Sequence, residues 1–222
     1  MKPFDVIGFR GADFVGRGLR QLQRLELGSA ADVSHVGLYV DSTVLHSDKV
    51  LPGRRYILES TCSGPLADGV KNIYGESFLG VQIRDLDLVL QHCTGQAFYC
   101  PMKKSWRDAY YTADQVPHYN NVVWGVVGTR YDANPVSLMS SLFPALRCLR
   151  RLAERGTQQW LFCSEMAAWV LKECGLLPPS VNAKNVVPSD FLLDVTDSDA
   201  DMPKIYERPI LLLAQAQSSP AE

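Results

Sequence analysis

The stretch Val33-Ser34-His35-Val36-Gly37-Leu38-Tyr39-Val40 has the two-residue alternation of a β-strand. Val33, His35, Gly37 and Tyr39 fall on one face, and Ser34, Val36, Leu38 and Val40 on the other. A strand needs neighbours to pair its backbone donors and acceptors. The β-like runs that can supply them are Phe4 to Phe9, Tyr56 to Ser60, Gly80 to Ile83 and Ile210 to Leu213. Between them lie helical patterns. Phe14, Val15, Leu19, Leu22 and Leu25 predict a helix over 13–27, and another fits around 104–113. Val136, Met139, Leu142, Phe143, Leu146, Leu149 and Leu152 give an apolar side to 136–155, whose end is basic. Residues 160–173 form a strongly apolar segment stopped by Gly175 and Pro178-Pro179, and Asp87 to Leu90 fits a short helix or turn. The fold class is α+β.

With 222 residues, no internal repeat and no long linker, the chain reads as one domain over 1–214. An aromatic-rich insertion is expected around 91–134, and the small polar tail, 215–222, is expected to be disordered. Apolar residues at 46% and charged residues at 21% describe a globular chain. A net charge of −2 argues against nucleic acid as a partner, since phosphate binding needs a basic stripe or excess. Six cysteines without a CxxC pair are too few for a disulfide scaffold and lack the spacing of a zinc site. The glycines at 8, 11, 16 and 18 match neither GxGxxG nor a P-loop. No metal or organic cofactor is called for. With no secretory signal and no apolar run approaching 18 residues, an intracellular protein with reduced thiols is expected.

The chemistry concentrates in Trp160-Leu161-Phe162-Cys163-Ser164-Glu165-Met166. A cysteine opening an apolar helix meets unpaired backbone N–H groups and the positive end of the helix dipole, both of which favour a thiolate. Taken alone, such a cysteine is more often a small buried hydrophobe. A nucleophilic thiol needs a base, for which His35, His46, His92 and His118 are the candidates. His35 lies on the best strand, with Gly37 leaving space on its own face. The base needs an orienting acceptor. Glu59 interrupts the apolar run Ile57-Leu58-Glu59-Ser60, where a carboxylate is costly unless paired. An antiparallel neighbour relation between 56–60 and 33–40 would let Glu59 accept from His35, although the register is not fixed by the sequence.

Ser34-His35-Val36-Gly37-Leu38-Tyr39, then Ile57-Leu58-Glu59-Ser60, then Phe162-Cys163-Ser164-Glu165 on a late helix, resembles the circularly permuted NlpC-type papain-like superfamily. That group includes the YiiX-type proteins and, more distantly, lecithin:retinol acyltransferase. Phe4-Asp5-Val6-Ile7-Gly8-Phe9 is similar to its first strand, and the order of histidine before cysteine is that of the permutation. The resemblance implies a small antiparallel sheet or barrel packed against helices, with the catalytic cysteine at a helix N-terminus. It implies Cys163 as nucleophile, His35 as general base and Glu59 as orienting residue. His46, shortly after His35, competes for the third role because the acyltransferase branch carries a second histidine there. Gly128-Thr129-Arg130-Tyr131-Asp132 is similar to a segment ahead of the cysteine helix and makes Tyr131 an active-site wall. Val187-Pro188-Ser189-Asp190-Phe191 resembles a structural segment after it. Phe162 stands where the acyltransferase has the asparagine of its Asn-Cys-Glu, and residues 91–127 match hardly at all.

The function expected is a thiol hydrolase, a cysteine peptidase or amidase working through an acyl-enzyme. The alternatives are a lipid acyltransferase or phospholipase-like enzyme and a non-catalytic binding module. Substrates would be peptide, amide or lipid acyl groups. The apolar side and the arginines of 136–155 offer a peripheral membrane contact.

Overall fold

In a computed structural model the residues described are 1–10, 33–61, 69–131, 162–192 and 203–214. The helices expected over 13–27 and 136–155, the first residues of the one over 160–173, and the tail 215–222 lie outside them. Six strands are described: β1 (Val6–Arg10), β2 (His35–Val40), β3 (Tyr56–Thr61), β4 (Gly80–Asp85), β5 (Gln96–Cys100) and β6 (Ile210–Ala214). They form one sheet in the order β4-β3-β2-β1-β5-β6, antiparallel throughout. Among the described residues four α-helices accompany it: α1 (Leu86–His92), α2 (Lys104–Tyr110), α3 (Val116–Val126) and α4 (Cys163–Glu173). The class is α+β.

Alternation along the strands sorts side chains into two cores. Val6, Val36, Leu38, Val40, Leu58, Val81 and Ile83 meet Met166, Val170 and Leu171 of α4 and Tyr119 and Val123 of α3 in the larger one. Ile7, Phe9, Tyr39, Ile57 and Ala97 face the other way, under Leu86 and Val89 of α1. Both faces of the sheet are therefore apolar, and a polar side chain on either face is buried unless it lies near a strand end. His35, Glu59, Gln82 and Arg84 share the α1 face by strand parity.

Helix ends follow local chemistry. Asp85 caps α1, its carboxylate accepting from the backbone N–H of Asp87 and Leu88. α4 ends in a Schellman motif: Gly175 takes φ +70°, its N–H donates to Lys172 O, and Leu176 N–H donates to Leu171 O. At its other end Phe162 supplies no side-chain cap.

The segment 91–134, expected as an insertion, contributes a strand to the sheet and two helices beside it. β5 joins β1 to β6, and Tyr119 and Val123 of α3 are fully buried. Asp5, just before β1, is the polar tie that holds this region. Its carboxylate accepts from Arg107 Nη2 (2.6 Å), Tyr99 Oη (2.7 Å), Met102 N (2.9 Å) and Lys2 N (2.6 Å). Among the described residues no helix is long and apolar enough to cross a membrane.

Candidate active site

The β2–β3 ladder runs from Val40↔Tyr56 to Gly37↔Glu59 and stops there. One residue further along β2, the Val36 N–H is among the groups that lower the pKa of Cys163, as is the N–H of Ser164 in the first turn of α4. The helix N-terminus is thus docked where the two strands part company. Ser164 anchors the turn by donating to Val186 O at 2.7 Å, and Ser164, Glu165 and Met166 are all buried beside Cys163.

His35 opens β2, and Cys163 is the neighbour that most raises the pKa of its ring. Its Nε2 lies 2.6 Å from Glu59 Oε2, which leaves Nδ1 for the thiol. The imidazole is a quarter exposed whereas Glu59 is 1% exposed, so the acceptor is dry and the base reaches solvent. Phe9 packs against the ring with centroids 5.6 Å apart. The space beside Gly37 is not open: a Cβ there would stand 2.6 Å from the Ile57 side chain, so glycine serves the close approach of β2 and β3.

Glu59 is held on both sides. Arg84 Nε donates to Oε1 at 2.6 Å, and Arg84 Nη1 also donates to Val70 O at 3.3 Å. Arg84 is 4% exposed. The sequence reading missed it, because Gly80-Val-Gln-Ile-Arg-Asp85 has the alternation of a strand with one solvated face. The only available signal was the need for a cation near a glutamate in an apolar run.

The electrostatics follow from this chain of contacts. Burial favours the neutral form of every member, and the ion pairs outweigh it. Burial alone would lower the affinity of His35 for its proton, but the Cys163 thiolate and then Glu59 raise its pKa from 6.5 to about 10. Glu59 is brought down from 4.5 to about 2 against burial, by Arg84 first and His35 next. For Cys163, burial opposes the thiolate, while the charge and hydrogen bond of His35 and the N–H groups of Val36 and Ser164 lower its pKa. Cys100 and Cys174 are the contrast. Burial without a cationic partner pushes Cys100 up to about 12, and Cys174 is also raised.

Of the residues singled out from sequence, Cys163, His35 and Glu59 are brought together. His46 is not the acceptor at His35 Nε2. It sits exposed on the loop after β2, its backbone N–H donating to Asn120 Oδ1 at 2.8 Å. Tyr131 meets Phe162, the residue before Cys163, edge to face with centroids 5.7 Å apart. Gly80 makes that possible by letting β4 approach Thr129 and Arg130 closely. Pro188–Phe191 is a largely buried 3₁₀ turn that packs Phe191 into the larger core. Among the described residues no cluster of three or more His, Cys, Asp or Glu is arranged to hold a metal ion. Compared with models of protein families and with curated proteins, the chain matches none.

Proposed function

We propose that the protein is a thiol hydrolase acting on amide or ester bonds through an acyl-enzyme. The observation that carries this reading is the placement of His35 between Glu59, 2.6 Å from its Nε2, and Cys163, with the thiol pKa lowered and the imidazole pKa raised, both in the direction that favours a thiolate–imidazolium pair. Within that class, the order of histidine strand, glutamate strand and cysteine helix supports a permuted NlpC-type papain-like enzyme.

In this mechanism the Cys163 thiolate attacks the substrate carbonyl carbon, and the carbonyl π electrons move to oxygen. In this reading the oxyanion is received at the N-terminus of α4, which carries the nucleophile and has no side-chain cap. Collapse of the tetrahedral adduct expels the amine or alkoxide, which takes the Nδ1 proton of His35, and leaves a thioester on Cys163. Neutral His35 then removes a proton from water, hydroxide attacks the thioester carbonyl, and the thiolate leaves beside the regenerated imidazolium. Glu59 keeps the ring oriented and stabilises its charge. Tyr131 and Phe162 form an apolar wall for the acyl or leaving group.

A non-catalytic module has no physical use for a buried glutamate, imidazole and thiol in series. The lipid acyl-transfer alternative draws on 136–155, outside the described residues, so hydrolysis is the reading the site supports. Incubation with p-nitrophenyl butyrate and intact-mass analysis tests it. An acyl adduct on Cys163 with release of nitrophenol is expected, and both are lost in Cys163→Ala. Turnover retained in Cys163→Ala, or a Cys163 that titrates as an ordinary thiol, overturns the proposal.

A further inference from the structure

Glu59 offers two oxygens, and His35 takes only one. The other is held at 2.6 Å by Arg84, a side chain from the neighbouring strand that is itself buried and also fastened to the Val70 carbonyl. Running from β4 through β3 and β2 to α4, the groups are Arg84, Glu59, His35 and Cys163. With the thiolate formed, their charges read plus, minus, plus, minus. Removing the first would leave the remaining three with a net negative charge in a dry site, and such a site relieves itself by taking up a proton. The group best placed to take it is the thiolate.

We propose that Arg84 is a positioning residue for this reaction, acting through Glu59 to keep the buried chain of charges balanced when Cys163 is ionised. It touches neither substrate nor nucleophile. Its guanidinium keeps Glu59 a carboxylate and fixes the oxygen that accepts from His35. The other charged and titratable groups on the surrounding elements are placed to do different work. Asp85, next on β4, is paired with Arg54, and Asp87 on α1 with Arg55. Tyr39 on β2 directs its hydroxyl to Asp41. Glu165, in the first turn of α4, is buried.

The inference rests on the thiolate–imidazolium reading, and the test separates the two. Alkylation of Cys163 by iodoacetamide, followed by mass spectrometry between pH 4 and 10, gives the midpoint of thiolate formation without needing a substrate. In Arg84→Gln the midpoint is expected to rise by about one unit, so that alkylation slows about tenfold at pH values well below the wild-type midpoint. Arg84→Lys, which returns the charge, is expected to recover most of that loss. A folded Arg84→Gln protein with the wild-type midpoint overturns the role of Arg84 and leaves the hydrolase reading intact. An ordinary thiol midpoint in the wild type overturns the hydrolase reading itself. A second measurement needs no variant: the Glu59 side-chain ¹³C shift should remain that of a carboxylate from pH 9 down to pH 4. Protonation of Glu59 within that range overturns the proposal, because Arg84 would then not be holding it ionised.

Discussion

Replacing Glu59 by glutamine changes one oxygen to an amide nitrogen and removes a charge with almost no change in volume. The carboxylate accepts from His35 on one side and from Arg84 on the other, both at 2.6 Å. A glutamine in its place can satisfy one of these donors and must present its own N–H to the other. Leaving one partner of a buried ion pair alone costs about 3–5 kcal/mol, and the retained amide oxygen puts this case near about 3. At about 2–4 °C per kcal/mol for a chain of this size, Tm should fall by about 6–12 °C, with the protein still folded at 25 °C. The imidazolium loses a charge-assisted hydrogen bond of about 1.5–3 kcal/mol, or about one to two pH units. His35, raised to about 10 in the wild type, should therefore titrate at about 8–9 in the variant. Following the His35 Cε1–H resonance from pH 5 to 11 reads the shift directly. A midpoint unchanged in Glu59→Gln, with the variant folded, would refute the idea that this carboxylate sets the charge of the base.

The same glutamate makes a second prediction about acid. Its folded pKa of about 2 lies below its ordinary 4.5, so its contribution to stability is complete above pH 4.5 and is lost as pH falls towards 2. Melting temperatures of the wild type and Glu59→Gln should converge on acidification from pH 6 to pH 3, and a constant gap would count against the ion pair. Among the described cysteines, brief iodoacetamide treatment at pH 6 should label Cys163 ahead of Cys100 and Cys174, and His35→Ala should erase that preference. Asp5→Asn should cost about 3 kcal/mol by stranding buried Arg107, yet leave the alkylation profile of Cys163 unmoved. Gly80→Ala places a Cβ 2.1 Å from Thr129 O at φ +147°, so a loss of about 3 kcal/mol or more is expected, with a raised KM from displacement of Tyr131. An unchanged melt for either variant would contradict the contact on which it is based.

The parts of the site legible in the sequence were those carried by strong local signals. The alternation of 33–40 placed His35 on a strand, an acid inside an apolar run marked Glu59, and an apolar segment ending at Gly175 marked α4. What failed was whatever depended on a distant neighbour. β5 has half-exposed Gln96, Phe98 and Tyr99 against buried Ala97 and Cys100, an irregular pattern that hides a central strand. Arg84 and Gln82 look like a wet face because nothing local announces that α1 covers it. Asp5 gains Tyr99, Met102 and Arg107 from about a hundred positions away, and no window along the chain contains both ends of these contacts. The preference for Glu59 over His46 came from its apolar, strand-like run, and the β2–β3 register pairs Glu59 with Gly37, on the same face as His35.

The sulfur that closes the β2–β3 ladder has a consequence for how the chain acquires its reactivity. Val36 and Cys163 come from distant parts of the sequence, and the thiol meets both its imidazole and its strand N–H only when α4 seats against β2 and β3. Before that docking event the cysteine belongs to a solvated segment and carries the proton of a free thiol, with a pKa of about 8.5. A newly made or partly unfolded chain therefore presents Cys163 as an ordinary thiol. Reactivity switches on with that long-range contact, which makes the alkylation rate of a single side chain a kinetic clock for the completion of folding.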